Sequence, residues 1–203
     1  MKYLSFFILL FIGELSVSAQ HMFSRQFPFF NQLSSNEIFS IHQDREGYFW
    51  IGTTNGLARY DGYQLNTFRT DYKNQNLLTD NGITAINDND LYVWIGTWKG
   101  LNLYNKQTCR ITPFPDARLL DKVVDAITVD KDGNVWVSAG GMIYRCDSTA
   151  HIIKEYEVGN IQEGYAISNI YVDQQKQLWA VGSRGIFRYE PETDSFFRYP
   201  PLG

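Results

Sequence analysis

Trp98, Lys99, Arg184 and Asn55 are the residues of this chain best suited to holding a ligand. Trp98 offers a flat indole on which the apolar face of a sugar ring can stack. Lys99 and Arg184 offer cations suited to a carboxylate or sulfate, as on an acidic glycan. The competing reading packs Trp98 on a neighbouring element and leaves the basic side chains in water. For bond-breaking chemistry the sequence offers little. It has no GxSxG, HExxH, P-loop or dinucleotide glycine motif. His21, His42 and His151 are too scattered to suggest a metal cluster. Residues 130–134, DKDGN, resemble the start of a calcium loop but lack its later ligands, so a hairpin turn is expected. No catalytic residue, metal or cofactor is expected, and ligand binding is the better prospect.

These residues are positioned by a repeat. Trp50, Trp94, Trp136 and Trp179 lie 44, 42 and 43 residues apart, a period typical of four-stranded propeller blades. An aspartate stands six residues before each tryptophan: Asp44, Asp88, Asp130 and Asp173. Gly56, Gly100 and Gly185 follow six residues after it, while Gly141 comes one place earlier, which predicts a shorter loop in the third block. Each block reads as an alternating apolar strand ending at the aspartate, a polar turn, a strand carrying the tryptophan, a second turn, and two further strands. Trp98 is the one tryptophan outside the anchor register. Asn55, Trp98, Lys99 and Arg184 all fall in the turn after the anchor strand.

The tryptophan has a physical task in such a blade. A single small twisted sheet cannot cover both of its faces, and a large flat side chain can fill the space between neighbouring sheets. The repeated aspartate is suited to capping the turn by accepting backbone N–H bonds.

The expected fold is therefore all-β: a β-propeller of four four-stranded antiparallel blades, at about 31–70, 78–115, 121–158 and 163–199. Phe23–Phe27 reads as a strand before the first blade. The fourth block already has its own outer strand, so that extra strand has no vacancy to fill. The expectation is an open array, part of a larger propeller, with a closed four-bladed ring as the rival. The bare faces of an open array predict self-association or pairing with the rest of a propeller.

Composition sets the remaining bounds. The hydrophobic fraction of 44% with 20% charged residues fits a globular domain, and the 16% aromatic content leans towards sheet. The net charge of -4 and the lack of a basic stripe argue against nucleic acid. Lys2, the apolar run Leu4–Ile12 and Val17-Ser18-Ala19 read as a secretory signal peptide cut after Ala19. That predicts export to the periplasm. No later run is long and apolar enough to span a membrane. Cys109 and Cys146 lack metal-ligand spacing and fall at different places in adjacent blocks. They read as two ordinary small apolar positions, with a disulfide as the alternative.

Ser34–Gly62, SSNEIFSIHQDREGYFWIGTTNGLARYDG, resembles the two-component-regulator propeller repeat. Trp94-Ile95-Gly96-Thr97 and Gly100-Leu101 keep that pattern, and Trp136-Val137-Ser138 and Trp179-Ala180-Val181 depart from it. The resemblance, over about residues 23 to 199, implies the periplasmic sensor region of hybrid histidine kinases, many of which sense oligosaccharides. It implies an N-terminal piece of such a sensor, without catalysis. The alternatives are a fragment of a propeller lyase or hydrolase, or a stand-alone assembly module.

Overall fold

A computed structural model of the chain describes residues 29–70, 78–158, 167–183 and 185–199. Sixteen strands form four antiparallel four-stranded sheets, each in sequence order. Blade one contains β1 (Ile38–Gln43), β2 (Phe49–Thr53), β3 (Gly56–Tyr60) and β4 (Leu65–Phe68). Blade two contains β5 (Ile83–Asp88), β6 (Tyr92–Thr97), β7 (Gly100–Asn105) and β8 (Arg110–Pro113). Blade three contains β9 (Val124–Val129), β10 (Val135–Ala139), β11 (Met142–Cys146) and β12 (Ile152–Glu157). Blade four contains β13 (Ile167–Val172), β14 (Leu178–Gly182), β15 (Gly185–Glu190) and β16 (Ser195–Arg198). Short 3-10 turns occur at Phe30–Gln32 and Ala117–Leu119. The segments 1–19, Phe23–Phe27 and Arg184 lie outside the described residues.

The core lies between blades. Trp50 joins Ile83, Val93 and Tyr104 of blade two. Trp94 joins Val124, Val137 and Tyr144 of blade three, and Trp136 joins Ile170, Leu178 and Tyr189 of blade four. These three indoles are at most 1% exposed. The first strands β1, β5, β9 and β13 pack successively on one another and form the inner edge. Blades one and four share no such packing among the described residues, so the array is open.

Trp-Ile-Gly serves close approach. A Cβ on Gly52 would stand 2.7 Å from Ile83 Cγ2, and one on Gly96 would stand 2.6 Å from Val124 Cγ1. Glycine lets the next blade's first strand come this near. At the same place Ser138 uses its hydroxyl to donate to the Ile167 carbonyl at 3.0 Å. Blade four has Val181 there, 40% exposed.

The turn aspartates do two things at once. Asp44 Oδ1 accepts the Glu46 and Tyr48 N–H groups, and Oδ2 accepts the Trp50 indole N–H at 2.6 Å. Asp130 and Asp173 likewise take the Trp136 and Trp179 indoles at 2.8 Å. Blade two departs from the sequence alignment. Its turn is one residue shorter, so Asn89 occupies the capping place and accepts from Leu91 and Tyr92. The Asn89 amide donates to the Ser148 carbonyl, and the Trp94 indole N–H is left without an acceptor. Asp88, displaced from the turn, is instead a junction residue between blades one and two.

The third block also differs from its expectation. Ala139 pairs with Met142 and Thr53 with Gly56, so both loops contain two residues. Gly140 and Gly141 both have positive φ, and Met142 takes the place of Gly56. The loop is not shorter.

Candidate functional site

Every first strand carries a β-bulge near its start. The register shifts between Ile38 and Ser40, between Ile83 and Ala85, and between Ile167 and Asn169, with a matching shift opposite Ser138 and Ala139 in blade three. The extra residues are Phe39, Thr84, Asp125 and Ser168. A bulge re-aims a side chain out of the regular alternation. These four residues thus form a row along the inner edge, one from each blade, near the end where the post-anchor turns lie.

Trp98 stands beside this row. Its indole lies against the backbone of Gly82, where an added Cβ would meet ring atoms at 2.4 Å. Its backbone N–H donates to the Gly82 carbonyl at 3.1 Å. Phe39 of blade one meets it edge-on, with ring centroids 6.2 Å apart. Phe39 is 56% exposed and Trp98 44%. Two half-exposed aromatics from adjacent blades therefore form a corner, fixed from below by a glycine.

Polar groups flank that corner unevenly. Thr84 Oγ1 donates to the Val124 carbonyl at 2.5 Å, and Ser168 Oγ donates to the Val181 carbonyl at 3.2 Å. Burial pushes the Asp125 carboxyl up to about 6, although part of the residue remains exposed. A carboxyl titrating near neutral pH can donate or accept a hydrogen bond as its proton comes and goes.

The residues singled out from sequence divide. Asn55 has its amide engaged in holding the strand entry: Nδ2 donates to the Ser34 carbonyl, and Oδ1 accepts from Arg69. Lys99 is well exposed, and its ammonium stands 3.8 Å from Asp80, within reach of an anion. Trp98 is one of the two rings of the aromatic corner, and Arg184 lies outside the described residues. Phe39, Thr84, Asp125 and Ser168 escaped the sequence reading. Phe39 reads as one more apolar strand residue until the bulge shows that it faces out of the sheet.

Among the described residues no group of three or more His, Cys, Asp or Glu side chains could hold a metal ion. Cys109 is exposed and Cys146 buried, both as free thiols. Burial pushes the Cys146 thiol up to about 12.

Four anchored blades around a common inner edge define a β-propeller array. Within it, residues 32–55 match the two component regulator propeller model, so the first blade carries that repeat. Similar solved structures agree on the fold. One is the extracellular domain assigned to hybrid two component system BT3049 of B. thetaiotaomicron, at 21% identity and a TM-score of 0.65, covering 83% of this chain and 24% of that one. Another, the extracellular domain assigned to one component system BT4673 of the same organism, has 20% identity and a TM-score of 0.63 over 84% and 22%. Virginiamycin B lyase from Staphylococcus aureus has 18% identity and a TM-score of 0.63 over 82% and 56%. The chain thus spans less than a quarter of the two extracellular domains. No curated protein matches it in sequence. No helix among the described residues is long and apolar enough to cross a membrane.

Proposed function

We propose that this chain is the N-terminal part of an exported, periplasmic sensor propeller that binds a glycan and does no catalysis. The observation that carries the reading is the Phe39–Trp98 corner, two half-exposed aromatic rings held at the inner edge of blades one and two. Such a surface suits the apolar face of a pyranose ring. Asp125 and Ser168 extend the row with groups able to bond sugar hydroxyls, and Lys99 favours a ligand bearing a carboxylate or sulfate. The regulator-type repeat in blade one supports a sensing role, and Leu4–Ile12 with the small residues up to Ala19 supports export. The likeness to the lyase is one of fold, which does not fix function.

Titration calorimetry with a panel of neutral and acidic oligosaccharides tests this. One or more should bind, with the tryptophan fluorescence changing on addition. Trp98→Ala should lower affinity about tenfold or more while leaving the fold intact. Binding that is indifferent to both Trp98→Ala and Phe39→Ala would overturn the assignment.

A further inference from the structure

The bulged row offers a ligand acceptors and no side-chain donor. Thr84 commits its hydroxyl proton to the carbonyl of Val124, the residue directly before Asp125. Ser168 commits its own to the Val181 carbonyl. Each hydroxyl oxygen therefore keeps only lone pairs for a visitor. Asp125 lies between them in the row, exposed as the extra residue of the β9 bulge. Among the described residues its carboxyl has no hydrogen-bond or ion-pair partner. An ionised carboxylate is likewise an acceptor only.

The charge of Asp125 is also unbalanced. Strands β5, β6, β10 and β13 pack against β9. Their titratable residues are Asp88, Tyr92 and Tyr171, all at the strand ends remote from the bulges. In the neighbouring turns and links, Lys99 stands 3.8 Å from Asp80, Lys122 donates to the Tyr144 hydroxyl, and Asp121 has the same sign as Asp125. Burial accordingly pushes the Asp125 carboxyl up to about 6, with no cation drawing it down.

We propose that the ligand brings the missing cation: the row takes a glycan with a free amino group, whose ammonium seats on Asp125 while adjoining sugar hydroxyls donate to Thr84 and Ser168. This rests on the glycan reading above and narrows it to amino sugars. The Phe39–Trp98 corner serves the same end, since aromatic faces attract cations as well as sugar rings. Lys99 stays available for an acidic group elsewhere on the same ligand. An N-acetylated sugar lacks the positive charge and leaves Asp125 without a counter-ion. The row therefore discriminates between two states of one nitrogen.

Titration calorimetry of the full chain with a glucosamine tetrasaccharide and its fully N-acetylated counterpart tests this. At pH 7 the amine should bind about tenfold tighter. Asp125→Asn should abolish that preference by weakening the amine alone, whereas Trp98→Ala should weaken both sugars. Near-UV circular dichroism confirms that each variant is folded. As the pH falls through about 6, Asp125 takes up its proton, so the amine should lose affinity while the N-acetylated sugar holds its own. Equal affinities, or a preference that survives Asp125→Asn, would overturn the inference, and the glycan reading would still stand if binding depended on Trp98. Binding of neither sugar would overturn it too, leaving the glycan reading to be decided by the neutral and acidic panel.

Discussion

His42 of blade one and Asp88 of blade two meet at 2.7 Å, with imidazole Nε2 against carboxylate Oδ1. The other carboxylate oxygen accepts from Lys106 Nζ, also at 2.7 Å, and Lys106 and Asp88 are 7% and 5% exposed. Burial works against the Asp88 charge, but His42, Lys106 and the Arg45 N–H outweigh it and hold the carboxyl down to about 2. An unfolded aspartate titrates near 3.9. The folded state is therefore favoured above about pH 4, by roughly 2 kcal/mol, and loses that advantage as the pH falls through about 2. Denaturant melts between pH 7 and pH 2 should show this acid slope. Asp88→Asn should flatten it and cost about 3 kcal/mol at pH 7, because Lys106 is left buried without its counter-charge. An unchanged slope in the variant would place the acid sensitivity elsewhere.

Trp50 and Trp94 are equally buried but differ in one bond. Trp50 donates its indole N–H to Asp44, whereas Trp94 has no acceptor. Trp50→Phe orphans a buried carboxylate oxygen, and Trp94→Phe removes an unpaired donor. The first substitution should cost more, by about 1–2 kcal/mol in chemical denaturation. Equal losses would mean that packing alone sets the value of these anchors.

Gly96→Ala and Gly47→Ala separate close approach from backbone conformation. The Gly96 alanine must displace Val124 of the next blade, at a cost of about 2 kcal/mol. Adding Val124→Ala should restore part of the loss. Gly47 has φ +93 and open space around it, so its alanine carries only a backbone penalty of about 1 kcal/mol, which no second site relieves. Thermal melts of the two singles and the double decide the matter.

Thiol labelling of the native chain should modify one cysteine. Cys109 is exposed, whereas Cys146 is buried and kept protonated by burial. The second thiol should react only after denaturant is added. Two fast thiols would contradict the packing of Cys146 in the core of blades two and three.

Blade number and strand order were legible because the anchor tryptophans recur with their turns at a nearly fixed period, and such spacing has little meaning outside a blade array. The exchange of roles between Asp88 and Asn89 was not legible, because counting back from the tryptophan cannot show that a turn has lost one residue. The glycine pair 140–141 misled in the opposite direction. It suggested a shorter loop, whereas the loop kept its length and Met142 replaced a glycine. The candidate site was half legible. Trp98 stood out as an indole off the repeat register, but Phe39 and Asp125 depend on bulges, which leave no mark in the residue types. Asn55, prominent in the turn, is engaged by Ser34 and Arg69, partners outside its own two-residue loop.

Trp50, Trp94 and Trp136 lean forward onto the blade that follows, so none of the first three blades completes its own interior. A ribosome releases the chain first blade first. Trp50 then stays in contact with water until Tyr104 has been made, and Trp136 until Tyr189 has emerged. Maturation trails synthesis by one whole blade. A nascent chain paused just past Tyr60 holds a paired sheet with a wet indole, and one paused beyond Ile111 holds the first dry interior.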